Sequence, residues 1–534
     1  MTDLLIENGW IVDGTGAPRY RGRVAVTGGR IEAVGESTPA GGAETLDADG
    51  LVVAPGFIDI HTHSELALLA DPQMPFKVRQ GVTTEVLGNC GFSAAPLANP
   101  SADLFRELCV PVFGHAELDW DWDSLAGYQA RLERGGMALN AASLVGHGAL
   151  RAAVMGFERR APTEGELKAM CRMVAEAMDA GALGLSTGLI YPPGCYAETA
   201  ELVALSEVSG RHGGIYATHL RDQSDRLLEA VQEAIAIGQG GGLPVQISHH
   251  KCAGAANRGK VRESLALLDG AKTGGVQPGS DMYPYLAGSS TLVSLFPPWA
   301  VEGGVEALLA RLAEPEPRAR ICREFESGLP GWENRVKVAG WENIYVSSVV
   351  TDANRSLVGR QLREIAQDRG QPPEQAVCDL LLAEGGRVGY IGYNSSEADL
   401  ETVLRHPRTS IGSDGLDVGE RPHPRLYGTF PRVLGEYVRR RGILTLEEAV
   451  HKMTGLTAAQ AGLKEVGLLQ PGYRADLVLF DPETVEDRAT FEVPRQFPAG
   501  IPHVFVGGTA VVRHERLTGN LPGQVLRRGG GAQA

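Results

Sequence analysis

The stretch from 55 to 63, PGFIDIHTH, places two histidines two residues apart at the end of an apolar run. Side chains alternate faces along a β-strand, so His61 and His63 point the same way. Two neutral imidazoles on one face at a strand end suit a single Zn-type ion. An isolated HxH is more often a surface pair. Here, however, it follows Val52, Val53, Ala54, Phe57, Ile58 and Ile60, the near-continuous apolar pattern of a strand buried on both faces of a parallel sheet. Further ligand types stand at the ends of later apolar runs: Cys90 after VTTEVLGN, His219 ending GGIYATH, His249 ending LPVQISH and Asp414 ending TSIGSD. Singly, a cysteine is most often a small core hydrophobe and an Asp before Gly an Asx turn. Ligand types at the ends of so many strands together describe a metal site. His249 and its neighbour His250 fall on opposite faces of a strand, so only one of the two coordinates.

A chain of 534 residues exceeds one ordinary core and implies two to four domains, or one large barrel with appendages. From 55 to 460, short apolar strands alternate with amphipathic helices. Strands are expected at 56–61, 82–87, 141–146, 182–186, 214–219, 244–249, 276–282 and 408–413. A helix is expected from Glu164 to Ala180, where Leu167, Met170, Cys171, Val174 and Met178 recur at helical spacing. Eight such strands make a (β/α)8 barrel, in which residues at the C-terminal strand ends converge on one active face. The excess from 284 to 405 is too long for a plain crossover and reads as an insertion that shapes the substrate pocket. Residues 1–54 and 461–520 carry short alternating strands with glycine turns, and form one small β-domain assembled from both chain ends. The Gly- and Arg-rich residues 521–534 are expected to be a disordered tail.

Composition narrows the function. Apolar residues make up 43% and charged residues 22%, as in a soluble globular enzyme. The net charge of −15 disfavours nucleic acid and anionic membrane as partners and leaves a small molecule as the expected one. The N-terminus lacks a basic segment followed by an apolar one, and no run approaches the ~18 apolar residues of a membrane span, so the expected location is cytoplasmic. Seven cysteines without paired spacing fit a reducing compartment better than a disulfide framework.

HxH after the first strand, single histidines after the fifth and sixth and an Asp after the eighth resemble the amidohydrolase superfamily. That resemblance implies a metal-bearing (β/α)8 barrel with a β-sandwich. Most two-metal members carry a carboxylated Lys or a Glu after strand four, where this chain has Ser186-Thr187-Gly188. The GNCG at 88–91 resembles the N-acyl-D-amino acid deacylases, or D-aminoacylases, in which a Cys after strand two is a zinc ligand. Further matching motifs are GLSTGLIYPPG (184–194), THLRDQ (218–223), ISHHK (247–251), DMYPYLAGSSTL (281–292) and SDGLDVGERPHPRLYGTFPRVLG (413–435), so the likeness spans nearly the whole chain.

The resemblance implies a zinc-dependent hydrolase that cleaves N-acyl-D-amino acids to a carboxylate and a free D-amino acid. One tight zinc would be held by Cys90, His219 and His249, which favours His249 over His250. A weaker second site would use His61, His63 and Asp414, with Cys90 shared. Asp414 would be the general base and later the acid. Lys251, Tyr283, Ser289 and Arg425 would hold the substrate α-carboxylate, with Tyr191 lining the pocket; Ser289 and Ser290 are not separated by sequence. His147, in GHGALR, either supports the site from behind or makes a core hydrogen bond. The preference for D-substrates comes from the resemblance alone. Two alternatives carry less weight: a hydantoinase-like or dipeptidase activity on the same scaffold, opposed by Cys90 and the missing strand-four Lys, and a non-catalytic assembly protein, which would have lost ligands.

Overall fold

The computed structural model describes residues 2–36, 44–97, 102–115 and 117–529. Eight parallel barrel strands occur where the apolar runs place them. They are Phe57–Asp59, Val82–Leu87, a third strand split at Leu144 into Asn140–Ser143 and Val145–Gly146, then Gly184–Gly188, Ile215–His219, Val245–Ile247, Pro278–Met282 and Thr409–Ile411. Every residue of these strands is buried, polar ones such as Glu85, Asn140, Gln246 and Asp281 included, so the strands do not alternate between an apolar and a solvent face. Strand one pairs with two, and two with three. The second half of strand three pairs with four, and the ladder continues through five, six and seven to eight. The barrel closes where Asp414 N donates to His61 O at 2.7 Å and Thr62 bridges Gly415 in parallel. That closing contact joins two of the candidate ligand segments directly.

The helix expected at 164–180 runs Glu164–Asp179. Thr163 and Glu166 form a reciprocal capping box at its start, and Met170, Val174 and Met178 are buried. The β-domain is one nine-stranded sheet drawn from both chain ends, joined where Val52–Pro55 pairs antiparallel with Leu477–Phe480. Leu4, Ile6, Val24, Val26, Leu477, Leu479 and Phe505 share one core, so the sheet curls around it. Ile31 N also donates to Tyr473 O, and Ala475 N to Gly29 O, drawing its far edge back onto the segment before Leu477.

The 284–405 segment is folded. Its antiparallel strands Ala287–Thr291, Gly389–Tyr393 and Ile344–Ser348 form a small sheet, flanked by helices that include Val305–Ala313, Pro315–Ser327 and Pro373–Ala383.

The tail departs from expectation. Gly523 N donates to Met137 O, Leu526 N to Ala141 O and Arg528 N to Gly181 O, while Val525 is buried against the start of barrel strand three. Val525 packs on the barrel with Leu526 half-buried and Leu521 exposed, and the Gly/Arg-rich composition beyond them masked this. Residues 530–534 lie outside the described residues. No helix among the described residues is long and apolar enough to cross a membrane.

Candidate metal centre

All six ligand candidates meet at the C-terminal end of the barrel, and all are buried. Three sets converge, each with one donor atom per residue within 4.8 Å of the others: His61, His63 and Cys90; Cys90, His219 and His249; His61, His249 and Asp414. Cys90 is common to two of them. Its Sγ lies 3.3 Å from His61 Nε2, 3.6 Å from His249 Nε2 and 3.8 Å from His219 Nδ1. Asp414 Oδ1 lies 3.3 Å from His63 Nε2 and 3.6 Å from His61 Nε2, while Oδ2 faces the Arg425 guanidinium at 2.9 Å. Cys90, His249 and Asp414 all have positive φ, of 55°, 35° and 50°. Such backbone costs about 1–3 kcal/mol per residue, and here it occurs at the turns that aim donor atoms into one volume.

The local sequence explains how a cysteine after strand two reaches this centre. Residues 88–91 lie across the end of strand four. Gly91 N donates to Ser186 Oγ at 3.1 Å, and Ser186 in turn donates to Gly88 O. A Cβ on Gly188 would stand 2.0 Å from Cys90 O. Small residues at the end of strand four thus admit the Cys90 loop where a strand-four Lys or Glu would otherwise stand.

Buried partners orient the histidines. Asp281 Oδ1 faces His61 Nδ1 at 3.2 Å and accepts from His249 N at 2.8 Å, and its Oδ2 accepts from Gln246. Gln223 Nε2 lies 3.2 Å from His249 Nδ1. Behind the ligands, fully buried Lys77 pairs with Asp59 at 2.7 Å and Glu85 at 2.8 Å, and Asp59 accepts from Ser413 N. Strands one, two and eight are thereby tied together beneath the site.

The electrostatics divide the histidines in two. Burial, reinforced by Arg335 and Lys251, holds His219 well below the usual imidazole range; burial and Lys251 do the same to His249. Both are neutral and ready to donate a lone pair. For His61 and His63, burial alone would lower the pKa, but the anionic neighbours outweigh it. Cys90 and Asp281 raise His61, and Asp414 and Cys90 bring His63 to about 9. Burial would raise the Cys90 thiol, yet His61 lowers it. A buried cysteine sulfur and a carboxylate among imidazoles form a donor set that a soft divalent cation fits.

Tyr191, Lys251, Tyr283 and Ser289 line one cavity beside His219, His249 and Asp414, and so does Ser290, whose Oγ is 3.2 Å from the Tyr191 hydroxyl. Among the described residues Lys251 has no carboxylate partner: its Nζ donates to His249 O at 3.3 Å and stands 5.3 Å from the Tyr283 ring centre. Arg425 sits one layer back, stacked on Tyr283 at 4.6 Å, with its buried Nε lacking a hydrogen-bond partner. His250 faces away, its Nε2 2.8 Å from Ser264 Oγ. His147 lies 2.8 Å from Glu201, which also pairs with Arg151.

Sequence reasoning missed Asp281, Gln223, Arg335 and Tyr390. The first two lie inside the quoted motifs DMYPYLAGSSTL and THLRDQ, where a polar residue beside a ligand strand was the available signal. Arg335 and Tyr390 come from the insertion, where no spacing announces them.

The family model described as "Amidohydrolase family" matches residues 44–512. A D-aminoacylase of Alcaligenes xylosoxydans xylosoxydans is 42% identical over 98% of each chain. An N-acyl-D-aspartate deacylase of the same organism is 40% identical over 99% of this chain and 95% of its own. The crystal structure of N-acyl-D-glutamate deacylase from Bordetella bronchiseptica, complexed with zinc and a phosphonate mimic of the tetrahedral intermediate, superposes with a TM-score of 0.84. It is 37% identical and covers 98% of this chain and 99% of its own.

Proposed function

The chain belongs to the amidohydrolase family, and from that premise we propose that it is a zinc-dependent deacylase that cleaves the amide of N-acyl-D-amino acids to a carboxylate and a free D-amino acid. The observation that carries this reading is Cys90. It reaches into the centre between His219 and His249 while strand four supplies Ser186-Thr187-Gly188 and no bridging ligand. Relatives of matching length act on N-acyl-D-amino acids, as their names state.

Cys90, His219 and His249 would hold the tight ion. His61, His63 and Asp414 would surround a weaker one. When bound, such an ion acidifies water and polarises a carbonyl as a Lewis acid. Asp414 Oδ1 takes the proton from the attacking water while Oδ2 stays on Arg425. The same carboxyl then hands that proton to the leaving nitrogen as the C–N bond breaks. Arg425 and the two histidines keep Asp414 well below the usual carboxylate range against the opposing effect of burial, so it rests ionised. The substrate α-carboxylate is received by Lys251, which has no anionic partner among the described residues, with Tyr283 and Ser289, while Arg425 stays on Asp414 behind the Tyr283 ring. Tyr191 closes the wall beside His219.

The direct test is release of amine from N-acetyl-D-amino acids compared with opening of hydantoins and cleavage of β-aspartyl dipeptides by the same preparation. Release from the linear N-acetyl substrates with the other two inert is the expected result. Hydantoin opening alone would move the protein to the cyclic-imide branch of the scaffold.

A further inference from the structure

The insertion delivers one cation to the site. Arg335 opens the short helix Arg335–Ala339, its side chain 16% exposed, and lines the same cavity as Lys251 and Tyr283. Its Nε faces Glu333 at 3.3 Å, and one terminal nitrogen donates to the Tyr390 hydroxyl at 3.0 Å. The other lies 3.2 Å from His219 Nε2.

That last contact depends on the tautomer of His219. The nitrogen facing Cys90 is Nδ1, at 3.8 Å. When Nδ1 is given to a metal, a neutral imidazole carries its proton on Nε2, and a guanidinium has donors only. His219 Nε2–H and the Arg335 amino group are then two donors 3.2 Å apart with no acceptor between them, an arrangement that an oxygen of a ligand resolves.

Charge indicates which ligand. The α-carboxylate of an N-acyl amino acid is matched by Lys251 at the Tyr283 wall. Arg335 stands at the other wall, 5.8 Å from the Tyr191 ring centre. Glu333 compensates only its Nε edge, and spends its other oxygen on Gln223 N at 2.9 Å. The edge turned to His219 and Tyr390 has no anion among the described residues.

We propose that Arg335, His219 Nε2–H and the Tyr390 hydroxyl seat a second carboxylate of the substrate, carried either on the amino-acid side chain or on the acyl group. The enzyme then prefers dicarboxylic N-acyl-D-amino acids over neutral ones. This rests on the deacylase reading given above.

The test compares zinc-loaded wild type with Arg335→Met and Arg335→Lys on four substrates: N-acetyl-D-aspartate, N-acetyl-D-glutamate, N-succinyl-D-leucine and N-acetyl-D-leucine. One of the dicarboxylates is expected to exceed N-acetyl-D-leucine in kcat/KM. A charge-assisted contact of about 1.5–3 kcal/mol predicts that Arg335→Met lowers that ratio roughly 10- to 150-fold, mainly through KM, and that Arg335→Lys restores part of it. Preference for the aspartate or glutamate derivative places the carboxylate on the side chain, and preference for the succinyl derivative places it on the acyl group. Calorimetric binding of the free products D-aspartate, D-glutamate, succinate and D-leucine to the same zinc-loaded proteins gives a readout independent of turnover: the anionic product of the preferred arm should bind more tightly than D-leucine, and Arg335→Met should erase the difference. If N-acetyl-D-leucine is the best substrate, or if Arg335→Met lowers all four substrates equally, Arg335 only positions His219 and the inference is overturned while the deacylase reading stands. No turnover of any of the four would sink the deacylase reading, and this inference with it.

Discussion

Asp414→Asn removes one negative charge from the centre while keeping the side chain's size and one oxygen acceptor. In the native site Oδ2 is 2.9 Å from Arg425, and Oδ1 is 3.3 Å and 3.6 Å from His63 and His61. An amide in that place cannot take a proton from water near neutral pH. Loss of a positioned general base costs about 10²- to 10⁴-fold, equivalent to roughly 3–5.5 kcal/mol on the barrier at 1.36 kcal/mol per tenfold. Removing one partner of a buried ion pair costs about 3–5 kcal/mol of stability. The loss here falls toward the low end, because Arg425 keeps Ser289 O at 3.3 Å and the Tyr283 ring at 4.6 Å. The assay is kcat and KM for an N-acetyl-D-amino acid on protein of measured zinc content, with thermal unfolding as the control for folding. The expected outcome is a fall in kcat of about 100-fold or more, KM within a few-fold and the tight zinc retained, since Cys90, His219 and His249 are untouched. A kcat within about threefold of wild type, on folded and zinc-loaded protein, would remove Asp414 from the role of base.

Gly188→Ala places a methyl 2.0 Å from Cys90 O; it should displace the Cys90 loop and weaken zinc retention against a chelator, and unchanged zinc affinity would contradict the packing account of strand four. Lys77→Met leaves Asp59 and Glu85 buried without their cation, which should lower the unfolding free energy by about 3–5 kcal/mol in urea titrations; a change below about 1 kcal/mol would show that the cluster is not an energetic tie. His503, which burial, His514 and Arg513 push down to about 4, is neutral in the fold where the unfolded chain binds a proton. Its contribution is therefore fully present above about pH 6.5 and is lost as pH falls through 4. His503→Gln should flatten the acid limb of the stability profile across that window, and superimposable profiles for the two proteins would refute it.

What could be read from the sequence follows from what each feature depends on. A strand buried on both faces is mostly small or apolar, so the ligand types at His61, His219, His249 and Asp414 stand out at the ends of their runs, although polar residues such as Glu85 and Asp281 are buried within strands too. Alternation predicts that His249 and His250 separate; the two do point apart, but strand six ends at Ile247 and it is the turn with His249 at positive φ that aims its ring at the centre, while the His250 ring meets Ser264. Cys90 is one ligand type among those after the apolar runs, and its place in the tight site comes from the resemblance, because its reach depends on Gly188 and Ser186 letting a loop pack across another strand. Asp281 and Gln223 orient histidines that come from other strands, so their roles exist only once the barrel closes. Arg335 belongs to a segment with no period tied to the barrel. The docking of residues 521–528 rests on a few backbone hydrogen bonds to strand three and the loop before strand four, which composition does not record.

The central claim is that a metal held by this centre drives hydrolysis of N-acyl-D-amino acids. Its most direct test is a panel of N-acyl-D- and N-acyl-L-amino acids assayed on protein stripped by chelation and then titrated with zinc, with bound metal measured at each step. Release of D-amino acids that rises with zinc occupancy of the first site, with the L-series inert, is the result the account predicts. Release of L-amino acids alone, or full activity in metal-free protein, would contradict it.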